Sequence, residues 1–284
     1  MEVFTTIADF RSARRKFHGT LGFVPTMGYL HDGHLALVAR AASDNQATAV
    51  SIFVNPTQFG PTEDFAAYPR DPQRDLAMLQ GAGVDFIFMP PVAEMYPVPM
   101  RTVVEVGPIA TVLEGAHRPN HFRGVATVVA KLFHIVEPTR AYFGQKDAQQ
   151  VAVIRQFVQD LDFPVQVIAV PTRRAPDGLA LSSRNVYLTA EQRAAAPVLY
   201  RALHAAQAAY AQGERDADAL REVLRATLTA EPLAAAEYVS IADAVSLEEV
   251  SGSISKPVLL SMAVRIGQTR LIDNITLGEN PVTT

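Results

Sequence analysis

Two histidines stand three residues apart in the stretch PTMGYLHDGH, Pro25 to His34, directly after the apolar run Leu21 to Val24 and before the helix-like run Leu35 to Ala42. A strand that ends in a Gly-bearing loop and feeds a helix N-terminus suits an anion. Free backbone N–H groups and the helix dipole both face the loop there. Taken alone, His31 and His34 fit an ordinary surface loop, a shared metal, or imidazoles that donate hydrogen bonds to phosphate oxygens as charge builds on them. The chain has no cysteine and no nearby HExxH partner, and the Gly-flanked position favours phosphate.

Two further segments have the same character. In Phe143 to Gln150 (FGQKDAQQ), Gly144 allows close backbone approach after a strand, and Lys146 lies where an anion would be neutralised. Leu179 to Asn185 (LALSSRN) offers the hydroxyls of Ser182 and Ser183 beside the permanently charged Arg184. A fourth segment, Val54 to Phe59 (VNPTQF), carries the uncharged amides Asn55 and Gln58, which suit a hydroxylated carboxylic acid better than a phosphate. The same residues also read as a simple Asx turn at Asn55.

The elements that must position these groups alternate. Strand-like runs at 21–24, 47–54, 84–89, 141–143 and 165–170 are separated by helical patterns at 71–80, 124–136 and 147–161. Such interleaving predicts right-handed crossovers and a Rossmann-like, doubly wound α/β fold with a mainly parallel sheet, ligands lying at the carboxyl ends of the strands. The start MEVFTTIADFRSARRKF reads as an amphipathic helix rather than a signal peptide, and Met100 to Val106 (MRTVVEV) is an extra strand of unassigned place. After about Pro176 the texture changes. An alanine-rich helix opened by a TAEQ capping box is expected from Ala190 to about Ala211 despite Pro197, then a helix at 216–228 and strands at 237–242 and 258–266. This predicts residues 1–178 as the nucleotide- and acid-binding domain and 179–284 as a smaller α+β domain.

Composition narrows the partners. A formal charge of −4 and 49% hydrophobic residues describe an ordinary globular protein without global attraction for nucleic acid or anionic membrane. The absence of cysteine removes disulfides and thiolate catalysis and agrees with a cytoplasmic location. No run approaches the roughly 20 apolar residues of a membrane-spanning helix.

The run PTMGYLHDGH, with FVNPTQF, HFRGV, FGQKD, QQ and DGLALSSRN in this order, resembles the pantothenate synthetases, the pantoate–β-alanine ligases. The similarity covers most of residues 20–193 and extends more loosely to LIDNI at Leu271 to Ile275. HDGH is similar to the HIGH signature of class I aminoacyl-tRNA synthetases and other nucleotidylyltransferases. The motif alone is weak; the ordered set is specific.

The resemblance implies two steps: pantoate carboxylate attacks the α-phosphate of ATP, giving pantoyl adenylate and pyrophosphate, and β-alanine then displaces AMP. It implies that Pro25, Met27, Gly28, His31 and His34 hold ATP, with His34 as proton donor and His31 as phosphate ligand. Gly144, Lys146 and Asp147 would line the nucleotide, Arg173 would touch it through its backbone, and Leu181, Ser182, Ser183 and Arg184 would cradle pyrophosphate. Gln58 and Gln150 would grip pantoate beside Asn55. Magnesium is expected with ATP, its protein ligands unknown, Asp75 being one candidate. A homodimer is implied too, as is a carboxy-terminal domain that covers the site.

Gln145 and Thr57 depart from the family's GEKD and NPMQF forms, and Tyr29 occupies a variable position. The connection from Pro56 to Pro69 is expected either to close as a lid over a water-sensitive adenylate or to stay static. Two rivals stay open: an adenylyltransferase with a phosphate-ester acceptor, which would need more cations in the acceptor pocket, and a nucleotide-binding module without turnover.

Overall fold

The computed structural model describes residues 1–61 and 63–278 and divides the chain into two units. The first holds Met1–Thr111, Gly115–Gln145 and Gln150–Pro171. The second holds Val112–Glu114, Lys146–Gln149 and the chain from Thr172 onward.

The first unit is built on six parallel strands: β1 (Glu2–Phe4), β2 (Leu21–Thr26), β3 (Ala47–Ile52), β4 (Phe86–Phe88), β5 (Arg140–Gly144) and β6 (Gln166–Val170). Their spatial order is β1-β4-β3-β2-β5-β6. Both faces are apolar, as a sheet covered on both sides requires. Leu21 and Phe23 of β2, Ala47 and Ala49 of β3 and Phe143 of β5 enter one core. Their alternates Val24, Val50, Ile52 and Tyr142 enter the other. Helices α1 (Ile7–Lys16), α2 (Asp32–Asp44), α3 (Pro72–Gly81), α4 (Val92–Met95), α5 (Glu114–His117), α6 (His121–Val136) and α7 (Ala148–Asp160) connect them. α6 and α7 line the first core, α2 and α3 the second. From β2 the order runs outward to β3 and β4 on one side and to β5 and β6 on the other, so the topological switch lies between β2 and β5. The histidine loop leaves the carboxyl end of β2 at this switch, where open α/β sheets bind ligands.

The second unit contains α8 (Ala190–Ala195), α9 (Val198–Ala211), α10 (Ala217–Thr229) and an antiparallel sheet β7-β8-β9, made of β7 (Ala234–Asp243), β8 (Val258–Ile266) and β9 (Thr269–Leu277). One core joins Leu199, Leu203, Leu220 and Leu224 of the helices to Leu260, Met262 and Val264 of β8.

Three expectations are corrected, and one strand is added that the sequence reading does not contain. The amino terminus opens with strand β1 before its helix, because Glu2 to Phe4 pairs with Phe86 to Phe88. Pro197 splits the alanine-rich helix into α8 and α9, since its ring carries no N–H for the helical ladder. Thr189 does form the capping box with Gln192 that opens α8. Met100 to Val106 forms no strand among the described residues. Thr269–Leu277, which lacks clean alternation, is a full strand against β8.

Candidate active site

The loop after β2 is shaped by its backbone. Gly28 has φ +85° and Tyr29 φ +50°, two successive left-handed residues, the first of which favours glycine. A Cβ on Gly28 would also lie 3.0 Å from Asp75 Oδ2. Asp75, buried in α3, accepts the N–H of Tyr29 at Oδ2 and of Leu30 at Oδ1, each at 2.7 Å. Its two oxygens thus tie down the loop. Thr26 adds a third restraint, its hydroxyl accepting from Gly28 N–H and donating to Ser51 O.

His31 is the N-cap of α2, its Nδ1 accepting from Gly33 N–H at 3.1 Å. His34 Nδ1 accepts from His31 N–H at 3.3 Å, so the two histidines form a reciprocal capping box. With Nδ1 an acceptor in both rings, a neutral imidazole at either position carries its proton on Nε2. The rings stack with centroids 4.1 Å apart. The spacing HDGH is therefore the spacing of a helix cap, and the cap sets the tautomer.

At the end of β3, Asn55 caps the 3-10 turn Pro56–Gln58. The Asx turn expected at Asn55 is present. Asn55 is turned inward: Nδ2 donates to Gln58 Oε1 at 3.1 Å and Gly124 O at 3.2 Å, and Oδ1 accepts from Thr57 and from Tyr96 Oη at 2.8 Å. Both donor hydrogens of this buried amide are engaged, one of them on the Gln58 side chain. Gln58 is left with Nε2, which points at Met27 Sδ at 3.3 Å.

The platform under this turn is the start of α6, which the motif HFRGV encodes. A Cβ on Gly124 would meet Thr57 O at 2.3 Å and Gln58 Cα at 2.8 Å, so only glycine lets the turn rest on the helix. His121 Nδ1 donates to Gln58 O at 2.8 Å, while its Nε2 accepts from Arg118 Nη1 at 3.1 Å. This ring is neutral with its proton on Nδ1, the opposite tautomer to the two capping histidines. Arg118 also grips Glu63 in the 56–69 connection, Nε to Oε1 at 3.0 Å. Burial alone would raise the Glu63 carboxyl, but the hydrogen bonds and charge of Arg118 hold it below its ordinary range. Pro25, Gly144 and Gln150 complete the candidates of this unit, in β2, at the end of β5 and in α7.

The second unit carries the cationic candidates. Lys146 Nζ lies 3.7 Å from Asp147 Oδ1 in the 3-10 turn Gln145–Asp147. Leu181 N–H donates to Arg173 O at 2.9 Å, which leaves the Arg173 side chain exposed in a hairpin-like loop closed at Arg174 and Ala180. Ser182 caps the turn Ser183–Tyr187 by accepting from Arg184 N–H, and Ser183 is buried.

Sequence reading misses Asp75 as a loop anchor, the His121–Arg118 pair, Tyr96 and Asn274. Only HFRGV and LIDNI signal any of them, as motifs without a role. Among the described residues no group of three or more His, Cys, Asp or Glu side chains is arranged to hold a metal, and both Asp75 oxygens face N–H donors. The observed role of Asp75 is to anchor this loop.

A parallel sheet whose switch point opens onto a histidine-capped helix N-terminus defines a nucleotide-activating α/β enzyme. The family profile of pantoate–β-alanine ligases matches residues 2–276, and the chain belongs to that family. It is 61% identical over 277 residues to the pantothenate synthetase of Herpetosiphon aurantiacus, covering 98% of this chain and 100% of that one. The crystal structure of pantothenate synthetase from Thermus thermophilus is 51% identical with a TM-score of 0.92, covering 97% of this chain and 99% of that one. The pantoate–β-alanine ligase of Francisella tularensis, solved in complex with β,γ-ATP and β-alanine, is 36% identical with a TM-score of 0.80 and 97% coverage of both chains.

Proposed function

We propose that this ATP-dependent pantoate–β-alanine ligase divides its reaction between the capping histidines, the Gln58 turn and the cations Lys146 and Arg184. A carboxylate is a poor acylating agent because its leaving group would be oxide. The pantoate oxygen therefore attacks the α-phosphorus of ATP and pyrophosphate departs, which leaves AMP as the leaving group of a mixed anhydride. The β-alanine amine then attacks the acyl carbon, the C–O bond to AMP breaks with its electron pair going to the AMP oxygen, and the nitrogen releases a proton to leave the amide.

The carrying observation is the reciprocal cap of His31 and His34, which presents two Nε2–H donors at one helix N-terminus. Donors fixed before the reaction stabilise charge on phosphate oxygens without reorganisation. His34 is the proton donor and His31 the phosphate ligand. Pro25, Met27, Gly28 and Gly144 supply backbone that approaches the nucleotide. Lys146 and Arg184 neutralise the phosphates and Ser182 and Ser183 donate hydrogen bonds to them, with Asp147, Arg173 and Leu181 lining the nucleotide. Gln58 and Gln150 hold pantoate, and Asn55 aims Gln58. Uncharged amides in this pocket suit a hydroxy acid and disfavour a phosphate ester, which would need cations there.

Magnesium bound with ATP would supply positive charge against the phosphates. The 56–69 connection, latched by Glu63 to Arg118, keeps water from the adenylate. A homodimer and a cytoplasmic location complete the reading; no helix among the described residues is long and apolar enough to cross a membrane.

The test incubates the protein with ATP, magnesium and pantoate labelled with heavy oxygen in its carboxylate, with and without β-alanine. Labelled AMP that depends on β-alanine is expected. ADP, or AMP without label, would exclude an acyl adenylate.

A further inference from the structure

Asn274 lies in β9 and is 5% exposed. Its Nδ2 donates to the backbone carbonyl of Lys146 at 2.8 Å, across 128 residues of sequence. The amide is itself held. Asn274 N–H donates to Asp273 Oδ1 at 2.8 Å, and the buried Asp273 carboxylate accepts Arg174 Nη1 at 2.6 Å and Nη2 at 2.9 Å. The Arg174 guanidinium lies over the Tyr200 ring, 4.7 Å from its centroid.

The same strand grips the other end of the short segment Lys146–Gln149. Gln149 Nε2 donates to Val112 O at 2.7 Å, and its Oε1 accepts from Glu114 N–H at 2.9 Å. The Glu114 carboxylate accepts Arg270 Nη1 and Nη2 at 2.8 and 2.7 Å, and Arg270 also reaches Glu237, which a bulge between Ala236 and Tyr238 turns toward it. Arg270 and Asn274 are four positions apart, on one face of β9, about 13 Å along the strand.

We propose that Asn274 is a positioning residue for Lys146, on the reading above that Lys146 meets the ATP phosphates. A lysine ammonium ends a flexible four-carbon stem, and only its backbone can set where that stem starts. Anchoring the Lys146 carbonyl at one end and Gln149 at the other fixes the Cα–Cβ direction. A misplacement of about 1 Å costs up to about a hundredfold in rate when a group acts on a transition state. LIDNI thereby acquires a function at a distance, with Asn274 as its acting residue and Asp273 as its brace.

The test is a double-mutant cycle on the full chain, reading single-turnover pyrophosphate release. N274A and the isosteric N274D, which cannot donate from its ionised carboxylate, are each expected to slow adenylation by about tenfold or more, with pantoate KM unchanged. In the K146A background the same changes are expected to slow it by about twofold or less, because groups that act as a unit are not additive. The full tenfold penalty persisting in K146A, or a wild-type rate in N274D, would overturn the positioning role while leaving the proposed function intact. A wild-type rate in K146A alone would remove the Lys146 assignment and the proposal with it. Should N274A fail to fold, N274D carries the same cycle.

Discussion

Leu30 N–H donates to Asp75 Oδ1 at 2.7 Å, and the neighbouring Tyr29 N–H donates to Oδ2 at the same distance. A helix of the second core thus clamps the left-handed turn that delivers His31. Asp75→Asn would set an NH₂ group against one of two backbone N–H donors and leave that donor unsatisfied, a cost of about 1–3 kcal/mol. Urea unfolding is expected to show that loss, with ATP KM raised. Wild-type values in both measurements would remove Asp75 as the anchor.

His34→Ala is expected to lower the adenylation rate by roughly a hundredfold, as losing one transition-state donor does. His31→Ala should slow it too and lose the N-cap of α2, worth about 1 kcal/mol, while His34→Ala loses the reciprocal bond of the same capping box. Stopped-flow pyrophosphate release and thermal melts read rate and stability apart. Wild-type stability of His31→Ala would mean that its cap is energetically idle.

Gln58→Ala is expected to weaken pantoate binding while ATP binding persists, and calorimetry reads both. Asn55→Asp replaces the donor to Gln58 Oε1 and Gly124 O by an acceptor-only carboxylate, so it should mimic Gln58→Ala without removing Gln58. Pantoate affinity unchanged in Asn55→Asp would show that Gln58 keeps its aim unaided.

What can be read in the chain is what local periodicity encodes. The strand, loop and helix around HDGH follow from one contiguous window, as do the TAEQ cap and the proline-led start of α3. Asp75 and Asn274 are illegible because each acts on a backbone group far along the sequence, 45 residues for Leu30 and 128 for Lys146. Asn55 reads in sequence as a donor to a substrate; its inward turn depends on Gly124, whose lack of a side chain has no meaning until α6 lies beneath the turn. β9 escapes a sequence reading because strand identity there comes from its neighbour β8 rather than from alternation.

The Glu63 latch has a pH dependence of definite sign. A carboxyl held below its ordinary range by Arg118 contributes stability that is fully present above that range and is lost as pH falls through the lower folded value. Limited proteolysis of the 56–69 connection is therefore expected to stay slow near neutrality and quicken in acid. Arg118→Ala should be cut quickly already at pH 7. Equal cutting of wild type and variant at neutral pH would show that this pair does not secure the loop.

Arg270→Ala leaves the largely buried Glu114 carboxylate without its bidentate partner, a loss of about 3–5 kcal/mol. Chemical denaturation should record it. The buried Tyr238 hydroxyl, already raised by burial and then by Glu114, is expected to resist titration through the alkaline range, readable in its ultraviolet absorbance. A shift of less than about 1 kcal/mol in Arg270→Ala would demote the ion pair to a surface contact.

A ribosome delivers Lys146 long before it delivers Arg270 and Asn274, yet the contacts that hold the Lys146–Gln149 segment close across 156 and 128 positions of chain. These bonds can form only once β9 has emerged. On the proposal that Asn274 positions Lys146, a chain halted just short of β9 would lack that anchor and is expected to adenylate pantoate more slowly than the full protein.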